Sequence, residues 1–459
     1  MFEKYYQNKD VKYNFYAYSP PGSEAGHYYF IGQKFDKNFR TVERYKEYKD
    51  VGFNMVMSGC IATYYGEEWE TSMCKQIMDT VYQAGIEKYV VGDQAFYDLS
   101  CEKDGIIGEG KRFADEKELD AFVAERIKDY SQHPAFYGVY LKDEPHYYLF
   151  KSFGQIYKSI KRVCPTAYVY CNLLPMDTLV WMNERYPKGG TLLERRKKYL
   201  ELFLDETGAD YIKYDDYMFC YNQPNKEWLL RCLQDAAALC RDRKIALDFI
   251  AQTFSMDIGG KGYYWSPNEE EMRFQLNFLL AFAVKELGFF TYLPHDAGGG
   301  EEFPDDGALL NGDGEKMPLY YITQKLIKEI KEILPVITRF SYHHSAYDVK
   351  DYHCQYRWLD HAVNEKLDNV EWFETDKESV LVNELYDEEN GQYLYAVVNL
   401  TDVRCEEVKT AEQKTKTQFD KKFRFADLFV GGKWEKVSLT DGVLEVSLKS
   451  GDSVYVLVY

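Results

Sequence analysis

Along the first three-quarters of the chain the apolar positions switch repeatedly between two periods. Short apolar and aromatic runs of β type alternate with stretches whose apolar residues recur every three to four positions, as on one helix face. The runs are 28–32 (YYFIG), 53–58 (FNMVMS), 88–93 (KYVVGD), 136–144 (FYGVYLKDE), 167–174 (AYVYCNLL), 209–217 (ADYIKYDDY), 245–254 (IALDFIAQTF) and 288–294 (GFFTYLP). Helical stretches fall between and after them at 41–52, 67–84, 115–130, 192–204, 226–243, 268–287 and 320–333. In 115–130, Leu119, Phe122, Val123, Ile127 and Tyr130 mark one face. Eight strand–helix units in about 300 residues predict a (β/α)8 TIM barrel. A doubly wound open sheet is the alternative, but it would carry a Gly-rich phosphate turn after its first strand. No GxGxxG or GK[ST] follows any run.

After Leu334-Pro335 the pattern changes. Short β-type runs (SVLVNEL, QYLYAVVNL, KFRFADLFV, VLEVSL, DSVYVLVY) are punctuated by Asn390-Gly391, Gly431-Gly432 and Asp441-Gly442. The first of these pairs reads as a type I′ hairpin and the other two as further turns. This last quarter predicts a small all-β antiparallel sandwich over 335–459, an accessory unit behind a catalytic barrel of 1–334.

A (β/α)8 barrel keeps its chemistry at the C-terminal ends of its strands. Period-2 alternation sorts the fourth strand. Val139, Leu141 and Asp143 should face the helices, while Gly138, Tyr140, Lys142 and Glu144 face the axis. Glu144 thus becomes a carboxylic acid aimed into the mouth among tyrosines, where desolvation raises its pKa as a general acid requires. Other polar strand ends converge there: Asp93, Asn172, Tyr214, Asp215, Asp216, Gln252, and His295 with Asp296. If Ile212 packs outward, Asp215 faces in and Asp216 does not. Tyr263, Tyr264 and Trp265 form either a sugar-stacking platform or a loop anchor. Lys142 and Lys213 both point inward on this pattern. Lys213 then either joins an ion network with Asp215 or Asp248, or serves as a Schiff-base lysine.

Composition narrows the partner. The net charge is −19, from 75 acidic and 56 basic residues. That disfavours nucleic acid and anionic membrane surfaces, which need a basic footprint. Forty-two tyrosines among the 459 residues suit carbohydrate recognition, since sugar rings stack on aromatic faces, and serve equally as core. The N-terminus has no apolar signal core and no run approaches a membrane span. Ten scattered cysteines without paired spacing fit a reducing cytoplasm, although a secreted protein whose signal had been removed would read the same. No metal-ligand spacing stands out, and no cofactor is implied.

The stretch GVYLKDEP, 138–145, resembles the fourth-strand motif of barrel glycoside hydrolases of the retaining β-glycosidase clan, which ends in Asn-Glu-Pro or Asp-Glu-Pro. The blocks 266–293 and 305–334, and the terminal SGDSVYVLVY, are similar to the same relatives. The resemblance implies Glu144 as acid/base and Asp143 as the residue that holds the sugar. It also implies cleavage of O-glycosidic bonds in oligosaccharides or glycoconjugates. One departure matters: the clan's nucleophilic Glu would end the seventh strand, where this chain has Gln252. Three repairs follow. Asp215 or Asp216 supplies the second carboxylate; Asp143-Glu144 works by substrate assistance; or the barrel binds sugar without hydrolysing it. Outside hydrolysis, Lys213 leaves a Schiff-base lyase as the alternative.

Overall fold

The computed structural model of the chain describes residues 5, 11–21, 39–58, 62–175, 184–220, 228–258, 264–294, 301–302, 304, 307–350, 361–377, 379–401 and 412–459. Among these, eight parallel strands form the barrel: β1 (Asn14–Ala17), β2 (Val56–Met57), β3 (Tyr89–Gly92), β4 (Phe136–Asp143), β5 (Tyr168–Asn172), β6 (Tyr211–Asp215), β7 (Ala246–Gln252) and β8 (Glu286–Phe290). They pair in the orders β2-β3-β4-β5 and β6-β7-β8-β1. Two seams close the ring. The Leu173 N–H donates to the Lys213 carbonyl at 2.8 Å, and the Asn54 N–H donates to the Phe15 carbonyl at 2.9 Å.

The helices longer than four residues are α1 (Val42–Val51), α2 (Met73–Gln83), α3 (Gln94–Ser100), α4 (Glu116–Ile127), α5 (Phe150–Val163), α6 (Leu192–Thr207), α7 (Leu229–Arg243), α8 (Glu269–Leu280) and α9 (Pro318–Lys331). Thr41, Ser72, Asp115, Thr191 and Asn268 cap α1, α2, α4, α6 and α8 with side-chain oxygens. Helix α5 illustrates the packing: Phe150, Phe153, Ile156, Tyr157 and Ile160 are buried along one stripe. Each such side chain stabilises the fold by about 1.5–3 kcal/mol. On β4, a Cβ at Gly138 would lie 1.9 Å from the Tyr168 carbonyl oxygen, so only glycine lets β4 approach β5 there.

Several expected boundaries move. The first barrel strand is Asn14–Ala17, whereas 28–32 lies outside the described residues. Helix α3 follows β3 where no helical stretch was expected. The helix expected over 268–287 stops at Leu280, because Ala283 turns the chain at φ +56° and the remaining residues feed β8.

The C-terminal quarter is a sandwich. One sheet has the order β9 (Ser341–Val349), β11 (Ser379–Asp387), β12 (Gln392–Asn399), β17 (Ser453–Val458), β14 (Phe425–Val430), β15 (Lys433–Ser438). The other is β10 (Val370–Thr375), β13 (Gln413–Phe419), β16 (Val443–Leu448). Gly431-Gly432 makes a two-residue hairpin with both φ positive, at 56° and 78°. The Asn390-Gly391 turn instead belongs to a four-residue loop, since Asp387 pairs with Gln392; the expected type I′ turn does not form. The sandwich rests on the barrel helices: Asn383 donates to the Ala281 carbonyl and Asn277 to the Gly451 carbonyl, each at 3.0 Å.

Candidate active site

The lumen is lined by Tyr16, Tyr18, Met55, Met57, Val90, Tyr140, Tyr170 and Ile250. Strand β4 carries an irregularity that decides the site. Tyr140 pairs with Tyr170, but the next pair is Lys142 with Cys171, so Leu141 is an extra residue in β4. A bulge of this kind re-aims the side chains beyond it. Leu141 and Lys142 therefore both leave the lumen. Lys142 reaches α3, with its ammonium 4.1 Å from the Tyr97 ring centre and 3.1 Å from Cys101 Sγ. Asp143 turns inward, reversing the faces that strict alternation gave to Lys142 and Asp143.

Asp143 accepts from the Tyr18 hydroxyl at 3.2 Å and from Asn172 Nδ2 at 3.1 Å. The same Asn172 amide donates to Asp215 at 2.8 Å, so one NH2 group bridges carboxylates on β4 and β6. Tyr217 also donates to Asp215. Asn172 Oδ1 is buried without a hydrogen-bond partner among the described residues. Glu144 follows directly. Its N–H donates to the Asn172 carbonyl at 2.8 Å, and its backbone is left-handed at φ +44°. Arg185 Nη1 lies 3.1 Å from Glu144 Oε2, and 21% of the Glu144 side chain is solvent-exposed.

Three carboxylates thus share one partly enclosed mouth. Burial, then the charges of Asp215 and Asp143, hold the Glu144 carboxyl well above its ordinary range, with Arg185 opposing. Burial and the Asp143 charge push Asp215 up to about 7, against hydrogen bonds from Asn172 and Tyr217. Like charges crowded at low dielectric cannot all ionise together, which is how an enzyme keeps a carboxylic acid protonated at neutral pH. Beside them stands an aromatic wall of Tyr217, Phe254, Tyr264 and Phe290, with ring centres 4.7–5.8 Å apart.

The other expected site residues go elsewhere. Asp93 is 1% exposed and fully engaged by Arg126 at 2.8 Å, the Tyr130 hydroxyl at 3.1 Å and the Ala95 N–H at 2.9 Å. Tyr214 faces the helix layer, against Phe249. The Asp216 charge acts on Tyr186, Tyr214 and Cys232, which belong to that same outer layer. Gln252 is wholly buried and clamps loop backbone, accepting from the Phe219 N–H and donating to the Phe219, Phe254 and Trp265 carbonyls. Trp265 Nε1 donates to Glu271 at the start of α8, so Trp265 anchors its loop while Tyr264 joins the wall. Tyr263, His295 and Asp296 lie outside the described residues. Tyr18, Arg185 and Tyr217 are the groups strand-end reasoning missed; only Tyr217 belongs to one of the eight apolar runs.

Lys213 is wholly buried, ion-paired with Glu286 and 3.7 Å from Asp248. Four tyrosine rings surround its ammonium: Tyr16, Tyr168, Tyr170 and Tyr211, at 4.5–5.5 Å. The expected ion network exists, through Asp248 and Glu286 and not Asp215. A lysine so enclosed has no open side from which to attack a carbonyl, and the lyase alternative loses its nucleophile.

The fold is that of TIM-barrel glycoside hydrolases with a C-terminal β domain. One similar structure is a glycoside hydrolase family 27 β-L-arabinopyranosidase from Geobacillus stearothermophilus, at 12% identity and a TM-score of 0.51, covering 99% of this chain and 98% of that one. A second, described as a glycoside hydrolase, has 10% identity and a TM-score of 0.52 over 91% of this chain and 88% of its own. No family model matches the sequence, and no curated protein matches it. Among the described residues no helix is long and apolar enough to cross a membrane.

Proposed function

We propose that the chain is a glycosidase cleaving O-glycosidic bonds, with residues 1–334 as the catalytic unit and 335–459 as an accessory unit. The observation that carries this reading is the convergence of Asp143, Glu144 and Asp215 on one mouth beside an aromatic wall. Glu144 is the general acid/base: held protonated by burial and by two neighbouring carboxylates, it donates to the departing oxygen. Asp143, held by the Tyr18 hydroxyl and the Asn172 amide, orients the substrate. Asp215 is the second carboxylate available to the reaction, and Asn172 positions a hydroxyl. The similar structures support this through their fold. One variant of the arabinopyranosidase was solved in complex with arabinose, at a TM-score of 0.50, and a carbohydrate substrate is proposed here too.

A second reading has its own support. Asp215, at about 7, is poised as an acid near neutral pH, while the Arg185 pair would make Glu144 a substrate-holding group. A screen of chromogenic glycosides, N-acetylhexosaminides included, tests the function. Leaving-group dependence separates the readings. The variant that lacks the acid keeps turnover on dinitrophenyl glycosides and loses it on alkyl glycosides. Glu144→Gln should behave so; unchanged turnover on alkyl glycosides would sink the assignment. Sugar binding without turnover across the panel would leave a binding barrel.

A further inference from the structure

The sandwich holds a separate cluster of donor atoms. Successive side chains on a regular strand leave on opposite faces, yet His343 and His344 of β9 stand together, ring centres 4.1 Å apart. The pairing of β9 with β11 slips between Tyr342 and His344, leaving His343 as the extra residue, and that bulge re-aims it. His344 Nδ1 lies 3.2 Å from Glu384 Oε1. His343 Nε2 lies 3.9 Å from the same oxygen and 3.3 Å from Asp368 Oδ2. One atom from each of the four residues falls within 4.8 Å of all the others.

The surroundings hold these atoms in place. The Glu384 side chain has no solvent exposure, and the Asp368 N–H donates to its Oε2 at 2.9 Å, so Oε1 is left to the imidazoles. The Tyr393 hydroxyl donates to Asp368 Oδ2 at 3.1 Å. Buried carboxylates are paired or coordinate metals, and a divalent cation among these four groups would neutralise Glu384.

We propose that His343, His344, Asp368 and Glu384 form a Zn2+ site. Imidazole nitrogen and carboxylate oxygen are ligands that zinc takes, and the two carboxylates balance its charge. Tetrahedral zinc with ligands at about 2.0–2.2 Å holds its ligand atoms about 3.3–3.6 Å apart, and the observed separations bracket that spacing. Tyr393 acts as an outer partner that orients a ligand. Asp368 lies between β9 and β10, the histidines on β9 and Glu384 on β11, so the ion ties that connection to the larger sheet, beside the bond from the Glu365 N–H to the Ser345 carbonyl at 2.8 Å. Asp368 is 47% exposed at its side chain, which leaves an entry path from solvent. The role is structural: none of the mouth carboxylates takes part.

The test uses the full chain, stripped with EDTA and titrated with ZnCl2 by calorimetry, with retained metal counted by mass spectrometry. The expected results are about one zinc per chain, a Tm several degrees above that of the stripped protein, and the intense visible bands of four-coordinate cobalt when Co2+ replaces zinc. His344→Ala should weaken binding at least about 10-fold. Asp368→Asn, isosteric and half-exposed, should do the same without threatening the fold. Glu144→Gln should leave uptake intact. Failure of the unaltered chain to retain stoichiometric zinc would overturn the site, as would uptake that His344→Ala and Asp368→Asn leave unchanged.

Discussion

Arg185 sits 3.1 Å from Glu144 Oε2, so the acid is held between one guanidinium and two like-charged carboxylates. The guanidinium favours the ionised form of Glu144, and Asp215 and Asp143 favour the protonated form. Removing Arg185 leaves only the second influence. In Arg185→Gln the Glu144 carboxyl should titrate still higher. The alkaline limb of the kcat/KM profile, where the acid loses its proton, should therefore move to higher pH. A limb that stays in place would detach Glu144 from that ionisation.

Asn172 serves two masters with one amide. Asn172→Ala removes the donor shared by Asp143 and Asp215 and leaves their charges to repel each other. Displacing groups from a near-attack arrangement costs about 100-fold in rate, and kcat should fall by that order with the fold intact by circular dichroism. Asp215 should then titrate above 7, because a group that lowers its pKa has gone.

Asp215 also makes stability depend on pH. Its carboxyl titrates at about 7 when folded, against an ordinary value of 3.8. Between those values the folded chain holds a proton that the unfolded chain has released. The contribution is full below 3.8 and is lost as pH rises through about 7. Asp215→Asn should flatten that decline and melt several degrees above the unaltered chain at alkaline pH, while losing activity. Thermal melts across the pH range check both halves.

Glu144 holds a backbone angle, φ +44°, that costs most residues about 1–2 kcal/mol. Glu144→Gly should therefore exceed Glu144→Ala in stability by about 1 kcal/mol, after the entropy glycine gives to the unfolded chain. Urea denaturation of the two inactive variants measures the difference; equal midpoints would remove the strain.

Lys213 neutralises two acids beneath the tyrosine layer. Lys213→Met should cost about 3–5 kcal/mol, since it leaves buried Glu286 and Asp248 without their cation. Urea midpoints report the loss, and borohydride should trap no adduct on the unaltered protein.

Much of the barrel was legible because hydrophobic period is a local property. Seven of the eight apolar runs, from 53–58 onward, fall on barrel strands and depend on residues a few positions apart; the first strand, Asn14–Ala17, lay outside the runs. What failed depends on neighbours distant in the chain. Nothing in LKDEP announces that Leu141 has no partner on β5, so the inward positions came out one residue wrong. Asp93 and Gln252 stand at strand ends as binding residues would, but Arg126 and the loop backbone of 219, 254 and 265 claim them. Arg185 lies in a stretch with no periodicity to point it at Glu144. The carboxylates Glu144 and Asp215 could be named, whereas the contacts that tune them could not.

The extra residue in β4 bears on how such a mouth tolerates change. Leu141 has no partner on β5, so a chain without it would still set Lys142 opposite Cys171 and Asp143 opposite Asn172. Regular pleating would again send Lys142 to the helices and Asp143 to the lumen. What brings Glu144 to the same opening is its left-handed backbone, φ +44°, which ends the alternation one residue past the strand. Gain or loss of one codon at Leu141 therefore falls on the residues before it, and the two acidic positions keep their places.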